Sequence, residues 1–285
     1  MKNKLILAAA AVLALPMAVS AQVKTFEIID NPVEQGGTAV IRIFPQWRGS
    51  LICISAFGKY FAPDRFGYVY IGVGTDVGAA KYRAFRVECG RGIRLDGGYY
   101  DEIDVSVKNF KKIRTAGGGP SSRPRQQSER DAINAAFSSD NGLKKDLTGG
   151  IRYLMPVRVK TEVIDPFGLI FSNVDTLLHS GVDLRLLIGT RVQAANSGRI
   201  ILVADDYSKE GNMVIISHGL GIFSVYMHLW RIDVKNGDLV VRGQTIGLSG
   251  ETGAGVREPH LHFSVKINGA YVDPLEFIET VNKNR

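Results

Sequence analysis

Short β-branched and aromatic runs, each broken by glycine, proline or asparagine, recur along nearly the whole chain and leave little room for helices. Residues 38–44, 50–54, 68–73, 82–87 and 103–107 are such runs in the first half. Residues 192–195, 198–203, 212–217, 222–228 and 260–265 are the clearest in the second. Runs of this length and composition read as strands. The 32 glycines suit the turns between them better than they suit helices. Ser217-His-Gly-Leu-Gly221 reads as one hairpin connection. A single short helix is expected, capped by Ser128, with Ile133, Ala136 and Phe137 on one side to dock on a neighbouring domain.

The expected fold is therefore mainly β. With 285 residues the chain is long enough for two cores. Regular short strands over residues 22–110 point to a β-sandwich of immunoglobulin type. Residues 111–150 hold a linker, Ala116-Gly-Gly-Gly-Pro-Ser-Ser-Arg-Pro-Arg-Gln-Gln127, and the short helix. Residues 151–285 form a second, antiparallel β domain, from which the sandwich is separable in principle. A chain beginning near Leu143 is expected to keep the second domain's activity.

The first residues carry a basic stretch, Met1-Lys-Asn-Lys4, an apolar stretch to Leu15 and the small residues Val19-Ser-Ala21. This is the pattern of a signal peptide over 1–21, so the chain is expected to be exported, to a periplasm or the medium. No apolar run reaches the length of a membrane span. Loss of Lys2 and Lys4 takes the formal charge from +7 to +5. That excess favours anionic surfaces such as cell-wall polymers, but the basic and aromatic stripe of a nucleic-acid binder is missing. Cys53 and Cys89 both lie in strand-like runs of the first half, where an exported protein permits a disulfide or two buried thiols.

The chain has five histidines, and four of them fall in motifs of the second half that suit chemistry. In Glu258-Pro-His260-Leu-His262-Phe-Ser-Val265 alternation puts both imidazoles on one strand face and Leu261 and Phe263 on the other. In His179-Ser-Gly-Val-Asp183 the same alternation puts His179 and Asp183 on one face. In Val225-Tyr-Met-His-Leu-Trp230 it sets His228 opposite Val225, Met227 and Leu229, on the face of Tyr226. His218, in its hairpin, reads as a structural residue bonded to nearby backbone. Asp205, Asp206 and Glu210 read as a polar turn. A catalytic zinc takes three protein ligands from histidine and carboxylate and keeps one position open, while hydrolysis also needs a proton acceptor nearby.

Further motifs keep a fixed order around these: Gly189-Thr-Arg-Val-Gln-Ala-Ala195, Gly211-Asn-Met-Val-Ile-Ile-Ser-His-Gly219, Tyr226-Met-His-Leu229, Val234-Lys-Asn-Gly-Asp-Leu-Val240, Gly243-Gln-Thr-Ile-Gly247, Pro259-His-Leu-His-Phe263 and Val272-Asp-Pro274. With them, about residues 151–278 resemble the lysostaphin-like (LytM-type) zinc metallopeptidases that cut peptide bonds in peptidoglycan. The resemblance implies Zn2+ bound by His179, Asp183 and His262, with His228 and His260 as the catalytic pair. It implies a peptidoglycan peptide as substrate, and a monomer is expected. The sequence departs from the family at Phe167-Gly-Leu-Ile170, in the loop Glu251–Glu258 and at Ser264, positions that bear on specificity rather than on the ligands. Two other readings compete. One is a non-catalytic LytM-type domain that binds the wall and activates another hydrolase. The other is an exported adhesin with incidental histidines.

Overall fold

The computed structural model describes residues 23–49, 51–95, 97–113, 126–139, 145–171 and 177–284. Residues 1–21, where a signal peptide is expected, and most of the glycine-rich linker lie outside them. Among the described residues no helix is long and apolar enough to cross a membrane.

The described residues of the first half form eight strands: β1 (Phe26–Ile29), β2 (Val33–Glu34), β3 (Thr38–Ile43), β4 (Ile52–Ala56), β5 (Lys59–Phe61), β6 (Tyr68–Gly72), β7 (Ala80–Glu88) and β8 (Asp101–Ser106). They build a three-stranded sheet, β1-β3-β6, and a five-stranded sheet, β2-β8-β7-β4-β5. Phe26, Ile41 and Val69 of the first sheet meet Ile54, Ala84 and Ile103 of the second in one core, so the unit is a β-sandwich. A disulfide joins Cys53 to Cys89 on the five-stranded sheet. Val40 and Tyr70 belong instead to the core of the second half. The middle of the three-stranded sheet is thus buried on both faces, which is why Ala39–Ile41 of β3 are continuously apolar.

The chain leaves the sandwich through β9 (Lys112–Ile113) and continues in α1 (Gln127–Ser139), β10 (Val163–Asp165), β11 (Ile170–Phe171) and β12 (Leu177–Leu178). There follow β13 (Val182–Arg185), β14 (Arg191–Gln193), β15 (Gly198–Tyr207), β16 (Gly211–Ser217) and β17 (Ile222–Ile232). The last elements are β18 (Leu239–Val240), β19 (Thr245–Ser249), β20 (His260–Ile267), β21 (Ala270–Val272) and α2 (Pro274–Lys283). The main sheet runs β10-β13-β20-β17-β16-β15-β18. Its strands alternate between two faces, with bulges in β15–β17. Val214, Ile216, Tyr226, Leu261 and Phe263 face the main core, while Met213, Ile215, Phe223 and Val225 face the other way.

Helix α1 covers part of that second face with Ile133 and Ala136, and the Phe137 ring meets Phe223 edge-on at 5.2 Å. Its start differs from the expected cap. The helix begins at Gln127, which leaves Ser128 inside it, and Glu129 reaches back to accept from the Gln126 N–H at 2.8 Å. This is the returning half of a capping box. The same carboxylate accepts from the N–H and Oγ of Ser208, so the cap also fastens the helix to the sheet.

Helix α2 departs from the expected single helix, and it explains Val272-Asp-Pro274. Asp273 caps it through the N–H of Leu275 and Glu276, and Pro274 supplies the preset first turn. The Asp273 N–H donates to Gly36 O at 2.7 Å, which ties α2 to the sandwich. Beside it, Glu276 accepts from the Thr38 N–H, while its Oε2 is buried with no partner. Burial pushes the Glu276 carboxyl up to about 6. A raised carboxyl favours the folded state most when protonated, so this contribution is full below pH 4.5 and fades as pH rises to 6. The cost at neutral pH is at most about 2 kcal/mol. Glu276→Gln should therefore be more stable than wild type at pH 7 and lose that advantage at pH 4. Denaturant melts at the two pH values check this, and an equal difference at both would refute it.

Candidate metal centre

Strands β13 and β20 pair antiparallel with Asp183 directly opposite His262 and Arg185 opposite His260. The pairing places the carboxylate and both imidazoles on one face of the sheet, while Leu261 and Phe263 point into the core as expected. The site lies on the face that α1 partly covers, further along β20.

His179 arrives differently from the strand alternation expected. It sits in the loop between β12 and β13, and Gly181 lets that loop press against β20. A Cβ at Gly181 would stand closer than 3.0 Å to Phe263 O, Ser264 Oγ and His262 Nε2. Gly181→Ala should therefore push the His179 loop off β20. Overpacking of this kind costs about 1–3 kcal/mol, and metal affinity should fall with stability. Thermal melts and metal analysis of the variant test this, and wild-type values in both would show that the strands have slack.

His228 also departs from the simple strand reading. Met227 and His228 together oppose the single residue Met213, since Asn212 pairs with Leu229 and Val214 with Tyr226. His228 is the extra residue of this β-bulge, with φ +65°, and Leu229 returns to the core on the side of Tyr226. The bulge turns His228 out of the alternation and toward β20. Its ring stands 4.8 Å from that of His260 and 6.2 Å from that of His262.

Three potential ligand atoms converge. His179 Nε2 lies 3.1 Å from Asp183 Oδ1 and 3.0 Å from His262 Nδ1, and His262 Nδ1 lies 2.8 Å from Asp183 Oδ1. Among the described residues this is the one group of three such side chains placed to hold a metal ion. His260 Nε2 stands 3.7 Å from the other oxygen, Asp183 Oδ2. All four side chains are nearly buried, so their charges are poorly screened.

The remaining ring nitrogens fix the protons. His179 Nδ1 donates to Pro166 O at 2.9 Å, His228 Nδ1 to Thr252 O at 2.8 Å and His260 Nδ1 to Glu258 O at 2.8 Å. A carbonyl only accepts, so each neutral ring keeps its lone pair on Nε2. His262 Nε2 bonds Ser264 Oγ at 2.8 Å, which leaves Nδ1 for the cluster. Thr252 is itself clamped: its Oγ1 donates to Leu229 O and accepts from the Asn212 N–H. Pairs Arg257–Asp165 and Arg185–Glu258 tie the same loop to the sheet, though such exposed pairs contribute little.

Charge effects follow from this crowding. Burial works against the Asp183 carboxylate, yet the hydrogen bonds and charges of His179 and His262 outweigh it and hold the group far below the usual range. Burial likewise opposes a charged His179, but Asp183 prevails and raises its pKa. His262 is lowered by burial in spite of Asp183. His228 falls to about 3, through burial and then repulsion from His260 and His262, so it is neutral at ordinary pH.

The other candidates are structural. His218 is buried between Ser197 O and Ser224 Oγ, and burial lowers it to about 4. Tyr226 points away from the site, with its hydroxyl accepting from the Ala195 N–H and from Ser224 Oγ. Asp205 and Asp206 end β15 rather than forming the whole of a turn, which is confined to the residues after Tyr207. The sequence reading missed Gly181, the Ser264 contact and the carbonyls of Pro166, Thr252 and Glu258. Carbonyls leave no trace in residue identity.

A metal fits this donor set. Two nitrogen lone pairs and a carboxylate oxygen, each within 3.1 Å of the others, repel unless a cation stands among them. Tetrahedral ligands about 2.0–2.1 Å from zinc are roughly 3.4 Å apart, so the cluster would need only slight spreading. Thiolates are absent from the set, which leaves the mixed imidazole and carboxylate type of catalytic sites.

Comparison with known proteins agrees. The family described as Peptidase family M23 matches residues 177–274. Peptidoglycan DD-endopeptidase ShyA of Vibrio cholerae is 40% identical over 98 residues, covering 34% of this chain and 22% of that protein. Lysostaphin of Staphylococcus simulans is 38% identical over 108 residues, 36% of this chain and 22% of its own. The matched part is thus a little over a fifth of these relatives' length. Among solved structures, a putative peptidase M23 from Pseudomonas aeruginosa aligns over 87% of this chain and 96% of its own, with TM-score 0.58 and 25% identity. Sequence likeness that starts just before His179 and ends beyond His262, on a fold shared over most of the chain, places residues 177–274 in peptidase family M23.

Proposed function

We propose that the chain is an exported zinc metalloendopeptidase that hydrolyses peptide bonds in peptidoglycan, in its cross-links or bridges. The observation that carries this reading is the buried triangle of His179, Asp183 and His262 with two further imidazoles, His228 and His260, turned toward it. In this reading the triangle holds Zn2+. The metal, when bound, acidifies water to a pKa near 7 and polarises the scissile carbonyl. His260 and His228 present unprotonated Nε2 atoms beside it. One takes the proton of the attacking water as the new C–O bond forms, and that proton passes to the leaving amine as the C–N bond breaks. While it holds that proton, the ring would also steady negative charge on the carbonyl oxygen.

The domain division carries over as part of the proposal: a signal peptide over 1–21, an immunoglobulin-like sandwich over 22–110, a connecting segment over 111–150 and the peptidase domain over 151–285. Export into the envelope agrees with the cell-wall substrate named for ShyA. The test is to digest purified sacculi with zinc-loaded protein and to identify the products. One zinc per chain together with new amine ends in the wall peptide is expected. Zinc binding without cleavage would favour the non-catalytic, wall-binding activator instead.

A further inference from the structure

Of the three proposed ligands, Asp183 and His262 stand on directly paired strands, β13 and β20, inside the main sheet, whereas His179 stands in a loop. Its support is local. The His179 N–H donates to Leu169 O and the Gly168 N–H to His179 O, both at 2.9 Å, while Pro166 O takes the ring proton. Residues 166–171 are therefore the cradle of this one ligand. The cradle in turn is two-residue pairing on each side: β11 pairs antiparallel with β12 and parallel with β9. So small a sheet is marginal alone and depends on what packs against it.

What packs there is the segment by which the chain leaves the sandwich. Lys111 O accepts the Ile170 N–H at 2.9 Å. The Phe110 ring meets Phe167 edge-on at 6.3 Å and lies over Gly168 so closely that a Cβ there would come within 3.0 Å of it. Gly168 has φ +78°, so its backbone is held in a turn that the ring caps from outside. On the inner side the Phe171 ring approaches the His179 ring at 6.3 Å.

We infer that Phe110 is a positioning residue for His179, and that the exit segment of the sandwich thereby sets the affinity of the centre for zinc. This rests on the proposed ligand set. Loss of the ring frees Gly168 and Leu169, and His179 then holds its place less well, while Asp183 and His262 are untouched. Partners one shell out from a metal commonly change its affinity by about 10–100-fold.

The experiment is a chelator competition that measures the zinc dissociation constant of the full-length wild type, Phe110→Ala, Phe110→Leu and Phe137→Ala. The last removes an apolar contact of similar size from α1, far from the cradle in the chain. Phe110→Ala should bind zinc about 10–100-fold more weakly, with Phe110→Leu in between, and Phe137→Ala should lose stability yet keep wild-type affinity. Wild-type affinity in Phe110→Ala overturns the inference, and so does an equal loss in Phe137→Ala, which would mark a general effect of instability. Should Phe110→Ala fail to fold, Phe110→Leu gives the same reading. A wild-type chain that binds no zinc overturns the metal centre itself, and a wild-type chain that binds zinc without cleaving wall leaves this inference standing.

Discussion

Asp183→Ala is expected to yield a folded protein that no longer retains zinc after dialysis. Asp183 is the only anion among the proposed ligands, and its Oδ1 lies 3.1 Å from His179 Nε2 and 2.8 Å from His262 Nδ1. Its removal takes away a ligand and the charge that offsets the cation. It also releases the two imidazoles that it holds in place. The loss should exceed the roughly 10–100-fold that an outer partner costs. Because the side chain, though buried, faces away from the main core, near-native stability of the metal-free protein is expected alongside. Metal analysis and a melt on the same sample test both parts, and full zinc occupancy in the variant would sink the ligand assignment.

His260→Ala should do the reverse: keep the zinc and lose the reaction. Its Nε2 is 3.7 Å from Asp183 Oδ2 and its Nδ1 proton is committed to Glu258 O, so the ring is presented as a base and not as one of the three converging ligands. A flanking acid or base contributes about 10²–10⁴-fold to rate. Turnover of a wall peptide should drop by that order at unchanged zinc content. His228→Ala should behave alike, since its neutral ring faces the same space. Loss of metal from His260→Ala would mean that the two histidines of β20 have exchanged roles.

Much of this was legible in the residues. Alternation in His260–Phe263 correctly set two imidazoles outward and two apolar side chains inward, and the glycine-rich spacing correctly implied a mainly β chain. Failures came where the reason is non-local. His179 looked like a strand residue because only Gly181, squeezed against β20, reveals that the chain turns there. The bulge at His228 is invisible in a sequence that alternates well enough without it. Val40 and Tyr70 look like ordinary strand residues, yet they belong to the neighbouring core. The linker composition suggested a separable second half, while the helix was expected to dock. It does dock, through Ile133, Ala136 and Phe137, and β9 pairs with β11 as well, so a chain beginning near Leu143 would leave apolar surface on β15–β17 uncovered.

Three of the four imidazoles at the site owe their orientation to main-chain carbonyls, those of Pro166, Thr252 and Glu258. Every amino acid supplies a carbonyl. Apart from Thr252, whose Oγ1 clamps the loop, and Gly253, whose turn has no room for a Cβ, side chains along Glu251–Glu258 can therefore drift without altering which nitrogen carries a proton. If the chain is the proposed peptidase, its reaction chemistry is in this way insulated from the evolution of specificity. New cutting preferences should be reachable by exchanging loop side chains at constant loop length, whereas a one-residue insertion, which shifts the carbonyls, should silence the enzyme whatever residue is inserted.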